Sequence, residues 1–233
     1  MKKVMSIALT SVVAAACGGV RAQEVADGQD ATRAQDVTNA QDVTWTPLFN
    51  GQDLSGWEHV GQGSFVIEDG VLKTEGGMGL LWFTERPFRD GVLRVEYRNP
   101  EGRNAGIFIR IPEPPADPWV AVHGGYEVQI DDLTEIENEM TGVLYSLTFP
   151  MAQPARPGEW NTMEIILDGD RTVVTVNGVL VTYYREGDWV PPRQADWQPV
   201  RGPRPEEGFI GLQNHGPGDV VYFRGVSFRA LDR

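Results

Sequence analysis

The chain has 233 residues and carries 20 Lys and Arg against 33 Asp and Glu, a formal net charge of −13. So acidic a surface repels polyanions, which excludes nucleic acid as a partner over most of it. One cysteine excludes an internal disulfide framework and a multi-thiolate zinc site, while 41% apolar residues are enough to bury one large core.

Lys2 and Lys3 precede an uncharged, mostly apolar run from Val4 to Ala16, and Cys17 follows. That is the basic n-region and short h-region of an export signal, too short to span a membrane as a helix. Ala14-Ala15-Ala16 before the cysteine is similar to a lipobox, with Ala14 where Leu is usual. Residues 1–16 are therefore expected to be a lipoprotein signal, and Cys17 the lipidated mature terminus; an ordinary signal cut between Ala14 and Ala22 is the competing reading. In either case the protein works outside the cytoplasm. As a lipoprotein it would be periplasmic or anchored to the outer membrane, meeting a membrane only through its lipid.

Residues 18–44 contain no aromatic side chain and repeat a unit of six: Gln29-Asp30-Ala31-Thr32, Gln35-Asp36-Val37-Thr38, Gln41-Asp42-Val43-Thr44. Three copies without a strong apolar position cannot build a solenoid core, so this stretch reads as a solvated linker spanning roughly 30 Å.

From residue 45 to 233 the pattern is that of one β-rich domain. Phe65 to Glu68 and Val71 to Thr74 flank Asp69-Gly70, a hairpin signal. Val92 to Arg98 and Ala105 to Ile111 alternate as strands do. Met163 to Leu167, Thr172 to Val176 and Val179 to Tyr183 are joined by Asp168-Gly169-Asp170 and Asn177-Gly178, and Gly208 to Gln213 and Val220 to Leu231 follow. No amphipathic helix of about ten or more residues is evident. Many short strands on tight turns predict an all-β fold, an antiparallel two-sheet sandwich of jelly-roll type. Two Pro-rich loops, Pro112 to Pro118 and Pro191 to Pro205, are placed to overhang a sheet.

Gly125-Tyr126-Glu127-Val128-Gln129-Ile130-Asp131 puts Tyr126, Val128 and Ile130 on one face and Glu127, Gln129 and Asp131 on the other. Such a strand can simply face water. Yet its polar set consists only of groups that bind hydroxyls or move protons. Backbones four residues apart on a strand lie roughly 13 Å apart. That is too far for the carboxylate pair of a retaining glycosidase, about 5 Å. By the same parity Arg110 pairs with Phe108, and His215 with Gly211 and Gln213. His59 and His123 carry no such context and read as structural. His-Glu-x-x-His, Gly-x-Ser-x-Gly, phosphate-loop and dinucleotide patterns are absent from the sequence.

Leu48-Phe49-Asn50-Gly51-Gln52-Asp53-Leu54-Ser55-Gly56-Trp57 resembles the opening of the 3-keto-disaccharide hydrolase family. So do Asn104 to Arg110, Gly125 to Asp131, Thr141-Gly142-Val143-Leu144-Tyr145, Gly158-Glu159-Trp160-Asn161, Asn177-Gly178 and Gly208 to Gly216, in family order. The resemblance implies a concanavalin A-like lectin/glucanase sandwich that cleaves glycosides oxidised at C3, and an upstream glycoside 3-oxidoreductase as pathway partner. The C3 ketone acidifies the C2 hydrogen, so a base and an acid suffice to expel the C1 group and no nucleophile is required. Glu127 and His215 are then the base and acid in either order, with Arg110 stabilising the enolate. Gln129, Asp131, Gln213, Asn104 and Tyr145 are the expected substrate contacts. A divalent metal on Glu127, Asp131 and His215 in place of Arg110 stays open. The family's Asn-Ser-Gly is Asn104-Ala105-Gly106 here, which predicts a lost hydroxyl contact. A non-catalytic sugar-binding module using Trp82, Trp119, Trp189 or Trp197, or an interaction domain with Glu127 in solvent, would carry the same alternation.

Overall fold

The computed structural model describes residues 44–100 and 102–231; the signal segment, Cys17 and the linker up to residue 43 lie outside them. The described residues form thirteen strands: β1 (Thr46–Pro47), β2 (Trp57–Gly61), β3 (Ser64–Glu68), β4 (Val71–Glu75), β5 (Gly79–Phe83), β6 (Gly91–Arg98) and β7 (Ala105–Ile111). There follow β8 (Tyr126–Ile130), β9 (Trp160–Asp168), β10 (Arg171–Val176), β11 (Val179–Arg185), β12 (Phe209–Asn214) and β13 (Tyr222–Ala230). They form two antiparallel sheets, in the orders β11-β10-β9-β6-β13-β4-β3, with β1 beside β13, and β2-β5-β12-β7-β8. The all-β sandwich expected from the turn spacing is the fold found.

Turn chemistry explains the two tightest hairpins. Asp69 and Gly70 take φ of 50° and 79°, and Asn177 and Gly178 take 51° and 77°, the paired positive values of a type I′ turn. Between the sheets, Leu81, Ile107, Ile109, Val128, Ile130 and Leu212 of the smaller sheet pack against Leu93, Val95, Met163, Ile165, Val226 and Phe228 of the larger. Period-2 alternation therefore leaves the other face of the five-stranded sheet free for a different purpose.

That outer face carries a second, smaller apolar cluster of Leu80, Trp82, Phe108 and Ile111, roofed by Ala121 and Val122 of helix α1 (Pro118–Gly124). The Asp117 carboxylate accepts the Trp119 N–H at 2.8 Å and Pro118 occupies the first turn, a cap that starts a helix inside a Pro-rich stretch. At seven residues α1 is too short to show in sequence periodicity.

β8 is the last strand of its sheet, but its outer edge is occupied. The Gln129 N–H donates to the Val143 carbonyl at 3.0 Å, and the Gly142 and Tyr145 N–H groups donate to the carbonyls of Gln129 and Glu127, each at 2.9 Å. The segment that closes the edge thus delivers Tyr145 beside Glu127.

Candidate active site

Beyond the small apolar cluster, the outer face of the five-stranded sheet opens into a pocket of about 410 Å³, solvent at its mouth included. Glu127 and Gln129 of β8, Gln213 of β12, Asn104, Tyr145 and His215 all line it. The shared parity of Glu127, Gln129 and Gln213, read from the sequence, is what brings these three together. Glu127 does not face open solvent as an interaction domain would require; it is 7% exposed.

Burial pushes the Glu127 carboxyl up to about 8, with the Gln213 hydrogen bond opposing and the Glu139 charge adding to the rise. A carboxyl so placed is protonated at neutral pH. Gly106 makes room for it, since a Cβ at that position would stand 2.6 Å from Glu127 Oε1. Asn104 Oδ1, Gln129 Oε1 and Gln213 Oε1 are buried without a hydrogen-bond partner. Each unsatisfied acceptor costs about 1–3 kcal/mol. Three of them in one pocket suit a ligand rich in hydroxyl donors.

His215 lies just past β12, with Nδ1 2.8 Å from Asp219 Oδ2. The carboxylate can only accept, so Nδ1 carries a proton, and in the neutral imidazole Nε2 is the acceptor. Tyr145 is pushed up to about 12 by burial and by the Glu139 and Glu127 carboxylates, both ionised by the pH at which the phenol titrates, so its hydroxyl stays a proton donor. Trp197 lines the same pocket as Tyr145.

Three expectations need correction. Arg110 does not join the pocket. Ile109 and Arg110 together face Ile210 across a β-bulge, Arg110 takes φ 55°, and Ile111 takes the outward position instead. Its buried guanidinium donates to the carbonyls of Gly169 at 2.8 Å, Arg171 at 3.2 Å and Pro205 at 3.0 Å, tying the two sheets and a loop together. Asp131 lies beyond the end of β8 and accepts the Thr134 N–H at 3.1 Å; it shapes a turn and does not line the pocket. Among the described residues no group of three His, Cys, Asp or Glu is placed to hold a metal ion, so Glu127, Asp131 and His215 are not a ligand set. Ala105 pairs with Ile130 and lies in the core between the sheets. A serine hydroxyl there would not reach the pocket.

The sequence model of the 3-keto-alpha-glucoside-1,2-lyase-like domain matches residues 44–229. The chain belongs to this family. A "3-keto-disaccharide hydrolase" of Bacteroides thetaiotaomicron is 28% identical, aligned over 79% of this chain and 78% of its own. Two crystal structures of Parabacteroides distasonis proteins, glycosyl hydrolases by assignment, share the fold. One has TM-score 0.65 at 22% identity, covering 81% of this chain and 94% of that one. The other has TM-score 0.60 at 27% identity, covering 80% and 84%.

Two features of this family member's pocket were not read from the sequence. Asp219 pairs with His215 across Gly216-Pro217-Gly218, and a His followed four residues later by Asp over a Gly-Pro-Gly turn was a signal available in advance. Glu139, whose charge is felt at Glu127 and Tyr145, comes from a 3-10 turn (Glu137–Glu139) with no sequence signature. Of the four tryptophans named as platforms, Trp119 and Trp197 line the pocket; Trp82 is buried under α1, and Trp189 is 77% exposed elsewhere.

Proposed function

We propose that this carbohydrate-active protein is an enzyme that cleaves 3-keto-glycosides by elimination and hydration. The observation that carries the reading is the pairing of a buried, protonated Glu127 with a His215–Asp219 dyad in one pocket lined by unsatisfied amide oxygens. His215 Nε2 takes the proton from C2, and the electron pair forms the enolate of the C3 ketone. Collapse of the enolate breaks the C1–O bond, and the Glu127 proton goes to the departing oxygen. Water then adds at C1 of the enone, with the Glu127 carboxylate accepting its proton and C2 regaining one. The Tyr145 hydroxyl hydrogen-bonds the enolate oxygen, in the role that Arg110 cannot fill.

The family membership and the name of the Bacteroides relative support this substrate class. The ketone must come from an oxidoreductase acting earlier on the same sugar. The export signal and Cys17 support an extracytoplasmic, lipid-anchored location, for which Cys17→Ser should abolish partition into detergent.

The chemical test uses a 3-keto-glucoside deuterated at C2, its protiated form and the unoxidised glucoside. Turnover of the two ketones with a primary isotope effect on single-turnover rates, and none of the plain glucoside, is expected. Equal cleavage of the plain glucoside would end the elimination mechanism, and tight binding without turnover of any ketone would leave a sugar-binding module.

A further inference from the structure

The reaction above uses only the polar lining of the pocket. Met78, Trp119, Val122 and Trp197 complete that lining, and two of these are tryptophans 45% and 63% exposed. Exposed indoles are normally mobile and costly to display. These two are held.

Trp119 stacks on His123 one turn along α1, ring centroids 5.5 Å apart with planes at 22°. Trp197 sits in a loop that three arginines pin through backbone carbonyls. Arg193 donates to the carbonyls of Asp196 and Gln198, the latter at 2.9 Å. Arg201 donates to those of Pro191 at 2.9 Å, Pro199 at 2.7 Å and Ser146 at 3.1 Å. Arg204 donates to those of Gly125 at 2.8 Å, Val200 at 2.6 Å and Gly202 at 2.9 Å. This preorganisation is what a binding surface needs, because ordering cost is then met on folding and not on binding.

The part of the lining that the reaction leaves unused is apolar apart from the indoles themselves. Met78 and Val122 have no conventional donor. A second pyranose as leaving group would bring several hydroxyls needing partners, whereas a flat aromatic group needs none. We propose that Trp119 and Trp197 seat the leaving group, and that the preferred substrates are 3-keto-glycosides of aromatic aglycones. The inference rests on the reaction proposed above for the sugar moiety.

The test compares full-length protein on 2-phenylethyl and ethyl 3-keto-glucosides, whose leaving alcohols are chemically alike, and on a 3-keto-disaccharide. The phenylethyl glycoside should be favoured over the ethyl one by about ten-fold in kcat/KM, and that ratio should fall by about as much in Trp119→Ala and in Trp197→Ala. Trp119→Phe should retain most of it. Equal kcat/KM on both glycosides, an undiminished ratio in both alanine variants, or a higher kcat/KM on the disaccharide would each overturn the proposal. If no ketone is turned over, the reaction reading falls by itself. Calorimetry then still decides the seat: Trp119→Ala must weaken binding of the phenylethyl glycoside more than that of the ethyl one, and equal weakening overturns it.

Discussion

The two faces of the five-stranded sheet share a backbone and differ in what they do with buried polarity. Toward the larger sheet, Ile107, Ile109, Val128, Ile130 and Leu212 are apolar and closely packed. Arg110, the one charged side chain of β7, is spent on three carbonyls. On the outer face, Glu127, Gln129 and Gln213 are buried and Asn104 is half-buried, yet Asn104 Oδ1, Gln129 Oε1 and Gln213 Oε1 are left without partners. Buried polar groups usually find partners within the fold. In the pocket, three unpaired acceptors on one concave surface are what a hydroxyl-bearing ligand would satisfy, whereas the Arg110 guanidinium is held by backbone carbonyls.

The sharpest way to break the contrast is to neutralise Glu127. Glu127→Gln keeps shape and hydrogen bonding but cannot give up a proton, so kcat should fall by about 10²–10⁴ while the fold is kept. Steady-state kinetics and thermal melts read both quantities, and an active variant would void the assignment.

Arg110→Met tests the other face. Removing the guanidinium leaves the carbonyls of Gly169, Arg171 and Pro205 without their donor, at about 1–3 kcal/mol for each that stays buried, so a large loss in urea midpoint is expected with kcat of the folded fraction little changed. A stable protein with lost activity would return Arg110 to the chemistry.

The third prediction follows from pH. Burial raises the Glu127 carboxyl to about 8 in the folded state, so the folded protein binds the proton more tightly than the unfolded chain does. The stability this lends is complete below the ordinary carboxylate value and is lost as pH rises toward 8. The Tm of Glu127→Gln relative to wild type should therefore climb between pH 5 and pH 8 and level off above, as thermal melts across that range would show. A flat difference would mean that Glu127 is ionised throughout.

The smallest effect on activity is expected for Ala105→Ser. Its hydroxyl would enter the apolar core, costing about 1–3 kcal/mol if unpartnered. Rates should stay within about two-fold of wild type, because the side chain points away from the pocket.

How far the sequence could be read follows from the same faces. Strand parity placed Glu127, Gln129 and Gln213 together because β8 and β12 run regularly through those residues. Parity failed at Arg110, where the bulge moves the next outward position to Ile111, and bulges have no reliable signature at a non-glycine residue. It failed at Asp131 because β8 ends at Ile130, one residue earlier. Helix α1 is capped by Asp117 and Pro118 but is shorter than any window that reveals a 3.6-residue period. The Trp197 loop is invisible to periodicity altogether, since its arginines bond to carbonyls of its own chain and not to any patterned partner.

The segment from Gly142 to Tyr145 has a consequence beyond catalysis. An edge strand as apolar on one side as β8 is a template on which a second molecule can add a strand, and such edges seed aggregation. Here the exposed ladder is consumed by the chain itself, through the same backbone bonds that carry Tyr145 to the pocket. Colloidal solubility and the catalytic geometry are therefore inherited together, and a variant that frees this segment should become both inactive and self-associating.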